Sequence, residues 1–169
     1  IESIMLYATH SSGVILRAYN YGFFCKENET MAKVELVSDD NGYASIVGEE
    51  KASTVGIIQE DVSKVTYNEG TVLIEASYIP PDIISKQMQE NKMTAGPMYY
   101  RTSRGSEPEL NHGLDFCFNI IEKYSKSSLF GGSIELGDDY EDSVISISKT
   151  ELDEIVGANV DKFKITKIV

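Results

Sequence analysis

Cysteine is nearly missing from this 169-residue sequence. Cys25 and Cys117 stand far apart, so there is no disulfide framework and no CxxC spacing for zinc or redox exchange. A reducing compartment is the simpler expectation. Long apolar runs are missing too. Runs such as Val14-Ile15-Leu16 hold only a few residues, against the roughly 18 that a membrane span requires. The opening residues carry no basic segment leading into an apolar stretch, so no signal peptide is legible there. The resulting expectation is a cytoplasmic protein without membrane contact. Absent as well are a Walker loop, a dinucleotide glycine pattern and any metal-ligand spacing, which leaves no cofactor and no metal to expect.

Positive charge is scarce. Fifteen Lys and Arg face 27 Asp and Glu, a net charge of −12 with an isoelectric point near 4.5. Such a balance repels a phosphate backbone and attracts basic surfaces. It predicts a basic protein partner and no nucleic acid; the oligomeric state is not legible.

What is present is ordinary globular material, 41% hydrophobic and 25% charged, which sets the chain apart from disordered sequences. The length suits a single domain over 1–169, with a β-rich first half and a mixed second half. Short runs rich in β-branched and aromatic residues predict strands at Ile4 to Leu6, Val14 to Tyr21, Val34 to Val37, Tyr43 to Val47, Val55 to Ile58 and Val72 to Ala76. Asn41-Gly42 between two of them is a hairpin turn, since both residues tolerate positive φ. Asn68-Glu69-Gly70 is a similar turn.

Helices follow. Pro80-Pro81-Asp82 starts one, with Ile84 and Met88 on a shared face. The stretch from Thr94 to Pro108 reads as a loop containing a short strand at Met98-Tyr99-Tyr100. The longest helix is expected from about 107 to 124, with Ser106 and Glu109 as a capping box. Its apolar stripe runs through Leu110, Leu114, Cys117, Phe118, Ile121 and Tyr124. Beyond it, strands are expected at Ser133 to Leu136, Val144 to Ile147 and Phe163 to Val169. A short helix capped by Ser148 and Glu151 and ended by Gly157 precedes the last of these. The fold class is α+β: a largely antiparallel β-sheet packed against one long helix and two short ones. Antiparallel pairing is favoured because the early connections are too short for parallel crossovers.

Candidate chemistry is thin. A cysteine nucleophile needs a base beside it, yet Cys117 and His112 lie five positions apart on one helix. That spacing turns them roughly 140° away from each other, so Cys117 reads as a core residue and His112 as a solvent-facing one. Cys25, beside Lys26, lacks a nucleophile turn. His10 and Ser12 form half of a two-histidine phosphoesterase arrangement, but His112 is followed by Gly113 and Leu114 and supplies no second hydroxyl. The carboxylates Asp39, Asp40, Asp138, Asp139, Glu141 and Asp142 lack the alternation of a calcium loop. Asn28-Glu29-Thr30 fits a glycosylation triplet of the kind that arises by chance.

Tyr99-Tyr100-Arg101-Thr102-Ser103-Arg104-Gly105 reads as the one concentration of positive charge. Arginine beside tyrosine grips carboxylate or phosphate and anchors interfaces. No catalytic residue is assigned. The expected partner-binding residues are Tyr99, Tyr100, Arg101 and Arg104 together with the acidic turn Asp138, Asp139, Glu141 and Asp142. The sequence alone therefore predicts a non-catalytic, acidic partner-binding protein of the inhibitor, immunity or assembly type. A small hydrolase using a cysteine or histidine is the alternative.

Overall fold

The computed structural model describes residues 1–27, 30–40, 42–66, 70–91, 102–137 and 144–168. The chain divides into two compact units, Ile1–Asp138 and Asp139–Val169.

The first unit opens with helix α1 (Glu2–Ser12), where a strand was expected at Ile4 to Leu6. Helical spacing places Met5, Ala8 and Thr9 on one buried face. Gly13, at φ 86°, ends the helix by donating its N–H to the Thr9 carbonyl. The chain then enters β1 (Ile15–Asn20), which pairs antiparallel with the distant β6 (Val72–Ser77), Arg17 directly opposite Glu75. Between these two, β2 (Glu35–Ser38), β3 (Ala44–Val47), β4 (Lys51–Thr54) and β5 (Ile58–Gln59) form a four-stranded antiparallel sheet in sequence order. Two short 3-10 turns, Tyr21–Phe24 and Asp61–Ser63, lead into and out of it.

The β1–β6 ribbon lies between two layers. Leu16, Ala18, Ile74 and Ala76 face α1 and helix α3 (Leu110–Tyr124), closing a core with Met5, Ala8, Val14, Cys117 and Ile121. Tyr19 on the opposite face belongs to a second core with Phe24, Tyr43, Ile46, Ala52, Val55 and Ile57. Helix α2 (Pro81–Asn91) adds Ile84 and Met88 to it, the pair expected to share a face. At Gly113 a Cβ would lie 2.4 Å from Val14 Cβ, so its glycine sets how closely α3 approaches the ribbon.

The β2–β3 hairpin forms as expected. Gly42 takes φ 79°, and Asp39 Oδ1 accepts from the Tyr43 N–H at 2.9 Å while Oδ2 meets Lys51 Nζ at 2.7 Å. Asp39 is thus a hairpin brace, which accounts for its carboxylate without a cation.

Other boundaries moved. The predicted strand Val55 to Ile58 is largely the turn joining β4 to β5, where Gly56 takes φ 71°. The expected capping box of the long helix does not form. Glu107 Oε1 accepts from the Glu109 N–H at 3.2 Å, and the helix begins at Leu110. Ser133 to Leu136 is irregular and exposed. Met98-Tyr99-Tyr100 and the turn at Asn68 and Glu69 lie outside the described residues.

In the second unit, Val144 to Ile147 is likewise irregular and exposed. Helix α4 (Lys149–Val156) has both halves of the Ser148–Glu151 capping box and its Gly157 cap at φ 72°, as the sequence predicted. Helix α5 (Lys162–Ile168) replaces the expected final strand. Asp161 Oδ1 takes the Phe163 N–H at 2.8 Å, the bond of a helix N-cap. The α+β class therefore holds, with antiparallel sheets throughout and helices in both units. No helix among the described residues is long and apolar enough to cross a membrane.

Candidate functional site

Of the expected partner-binding residues, only Arg104 is described; Tyr99, Tyr100, Arg101, Asp138, Asp139, Glu141 and Asp142 lie outside the described set. Arg104 is exposed, in a turn whose first residue, Thr102, is fully buried. Thr102 Oγ1 donates to the Gly56 carbonyl at 2.7 Å, and its methyl occupies the space a Gly56 side chain would need. Gly105, at φ 96°, closes the turn onto the Thr102 carbonyl, and the Glu107 N–H reaches the Gly13 carbonyl at 3.1 Å. The exit of the loop is pinned at two points while its arginine faces water.

The nucleophile candidates are not assembled. Cys117 is enclosed by the helical core, and burial pushes its thiol up to about 11, so it stays protonated and inert at neutral pH. Cys25 is half-buried and gives its thiol to the Tyr21 carbonyl at 3.6 Å. His10 and His112 are both exposed. Ser12 Oγ donates to the Ala8 carbonyl at 2.7 Å, a local helix-end bond. Among the described residues, no group of three or more His, Cys, Asp or Glu is placed to hold a metal ion.

The densest chemistry lies inside the fold, where β1, β4 and β6 meet. Arg17 is only 4% exposed; its Nη1 donates to the Thr54 carbonyl at 3.0 Å and lies 4.0 Å from Glu75 Oε2. The Tyr19 hydroxyl touches the same carboxylate oxygen and lies 2.6 Å from Ser53 Oγ. One phenolic proton serves one acceptor, so Tyr19 donates to Glu75 and receives the Ser53 proton. Burial, reinforced by the Glu75 charge, pushes the Tyr19 phenol far above its usual range. It acts as a fixed donor, neither base nor nucleophile. A buried guanidinium and carboxylate of opposite charge each require the other, because removing one leaves an uncompensated charge in low dielectric. This cluster holds the sheets together.

Sequence reasoning overlooked it, although the signal was present. Each of two apolar strand runs, Ile15 to Tyr19 and Val72 to Ala76, carries a single charge, and the two charges are opposite. A second oversight concerns the Arg101–Arg104 segment, which is not the only basic concentration. Lys162, Lys164 and Lys167 fall within six residues of the last helix, and all are exposed.

The whole chain is similar to one subunit of an amino acid-tRNA ligase. It is 61% identical over 170 residues to the phenylalanine-tRNA ligase beta subunit of Sulfurimonas denitrificans, covering all of this chain and 22% of that protein. The beta subunit of Campylobacter jejuni subsp. jejuni is 34% identical over the full chain, again 22% of the relative. That of Helicobacter hepaticus is 28% identical over 96% of the chain and 21% of the relative. No protein-family model matches. The chain thus spans about a fifth of the length of the curated relatives it matches.

These similarities overturn two expectations. An acidic inhibitor or immunity-type protein for a basic partner, and equally a small cysteine or histidine hydrolase, gives way to likeness with a translation-ligase subunit. The exclusion of nucleic acid fails for the same reason, since the relatives are named for a ligase of tRNA. The physical error was to let a net charge of −12 decide the sign of every part of the surface, which a sum over the chain does not do.

The buried cluster makes a direct prediction. Replacing Arg17 with Met or Glu75 with Leu should each cost about 3–5 kcal/mol, and the double variant far less than their sum. Urea denaturation of the three variants measures this. Additive losses would mean that the two charges are not coupled.

Proposed function

We propose that this chain is a segment of the beta subunit of a phenylalanine-tRNA ligase, acting in the cytoplasm as part of the machinery that joins phenylalanine to tRNA. The observation that carries the proposal is 61% identity to such a subunit along every part of the chain. Its partners in that setting are tRNA and the ligase's other subunit, the one that the designation beta implies.

Within the subunit, residues 1–138 serve as a rigid module and the 99–104 loop as its contact with RNA. Arg101 and Arg104 supply guanidinium groups suited to phosphate, and Tyr99 and Tyr100 offer faces on which bases stack. The buried anchor at Thr102, next in sequence to Arg101 and two residues before Arg104, supports this reading, because a fixed anchor lowers the entropy lost on binding. The acidic turn Asp138, Asp139, Glu141 and Asp142 repels phosphate and so limits where the RNA can lie.

The test is a chimera in which this chain replaces the matching segment of the Sulfurimonas denitrificans beta subunit. Assembled with its natural partner subunit, it should form phenylalanyl-tRNA with kcat/KM within about tenfold of the parent, a loss of no more than ~1.4 kcal/mol. An assembled but inactive chimera would contradict the assignment. In the same assembly, Arg101→Ala and Arg104→Ala should each weaken tRNA binding and reduce the dependence of log Kd on log salt by about 1. A slope left unchanged by both would remove the loop from the RNA interface.

A further inference from the structure

Thr102 is fully buried, whereas Ser103 is half-buried and Arg104 and Gly105 are exposed. The four residues form one turn, closed by the Gly105 N–H on the Thr102 carbonyl at 3.0 Å. Arg104 holds the third position of that turn and Gly105 the fourth, at φ 96°. A closed four-residue turn has little freedom of its own. Whatever fixes Thr102 therefore fixes the backbone that carries the Arg104 guanidinium.

Thr102 is fixed twice. Its hydroxyl donates to the carbonyl of Gly56 at 2.7 Å, and Gly56 is itself buried. Its methyl lies 2.8 Å from where a Gly56 side chain would begin, and Ile79 Cγ2 at 2.9 Å and Ile84 Cδ1 at 3.2 Å close the same space. Valine would fill this apolar socket with nearly the same volume. What the hydroxyl adds is direction, because a buried carbonyl deprived of its donor is costly and only one placement of the turn satisfies it. The far end of the turn is looser. A Cβ on Gly105 would meet only Pro81 Cγ, at an ordinary 3.8 Å, so the demand for glycine there is one of backbone conformation alone.

We propose that Thr102 is a positioning residue for RNA contact: its hydroxyl on the Gly56 carbonyl sets the Thr102–Gly105 turn, and the turn sets the Arg104 guanidinium against phosphate. The inference rests on the reading of Arg104 as a phosphate contact. Thr102, being buried, touches no RNA. It acts by holding a flexible cation on a fixed stem, so that less freedom is lost when the phosphate arrives.

The test uses the full-length beta subunit carrying this chain, assembled with its partner subunit, and reads its affinity for tRNA. Thr102→Val should weaken binding by about three- to tenfold, whereas Thr102→Ser, which keeps the hydroxyl, should stay within about twofold of the parent. In an Arg104→Ala background Thr102→Val should cause no further loss, since a positioning residue acts through the group it positions. Gly105→Ala is a second variant, in case the loss of a buried hydroxyl prevents assembly. It strains the turn at its exposed end and should show the same dependence on Arg104. A loss of equal size with and without Arg104 would mark a purely structural role and overturn the proposal. Full affinity in Thr102→Val and Gly105→Ala would overturn it too, as would a Thr102→Ser variant as weak as Thr102→Val. Unchanged affinity in Arg104→Ala alone would instead remove the underlying RNA reading, and the positioning role with it.

Discussion

The β1–β6 ribbon is packed on both faces, with β1 almost fully buried and β6 half-buried along its length, so its charged side chains depend largely on partners within the protein. Helices α1 and α3 take one face, and the four-stranded sheet takes the other. Arg17 and Glu75 sit opposite each other in the middle of this ribbon. The guanidinium engages a β4 carbonyl and the carboxylate takes the Tyr19 hydroxyl. An apolar pair of similar volume would hold the layers with less risk, since ionic groups in a core recover their desolvation only in one geometry. What the charged pair adds is register. A one-residue slip of β1 against β6 would turn Arg17 toward Cys117 and Ile121, where no counter-charge waits.

That constraint reaches the surface by short steps. Thr54 accepts Arg17 at the end of β4, Gly56 lies two residues on, and its carbonyl holds Thr102. The turn carrying Arg104 is therefore tied to the ribbon through Thr102. In the proposed role as a segment of a tRNA ligase subunit, affinity for RNA would come from a few local cations and their placement from the interior that anchors them. The overall negative charge is compatible with it because phosphate is read locally, within about 8–10 Å at physiological salt.

Much of the fold was legible in the sequence, and the failures have causes. The β1, β2, β3 and β6 runs were readable because β-branched residues were bounded by turn chemistry, with Asp39 and Gly42 at the clearest turn. The Ser148–Glu151 box and Gly157 were readable because capping is a local property. Helix α1 was misread because three consecutive residues, Ile4, Met5 and Leu6, look like a strand until Ala8 and Thr9 supply the helical period. The final helix was misread because Phe163, Ile165 and Lys167 alternate as a strand would, and the deciding signal was the cap at Asp161. The site was least legible. Arg17 and Glu75 lie 58 positions apart, and only the register of β1 on β6 makes them neighbours. Function was not legible: net charge and missing motifs pointed to an acidic binding protein, whereas the relatives along the whole chain are phenylalanine-tRNA ligase beta subunits.

The central claim, that the β1–β6 ribbon packed on both faces is the part on which everything else depends, is most directly tested by native-state hydrogen exchange. The ladder amides of β1, together with the Leu16 N–H held by Thr9 Oγ1 at 3.0 Å, should exchange only through global unfolding. Their exchange free energy and its dependence on denaturant should match those of the whole first unit. Exchange of these amides through local openings, at free energies no higher than those of the exposed face of α2, would contradict the account.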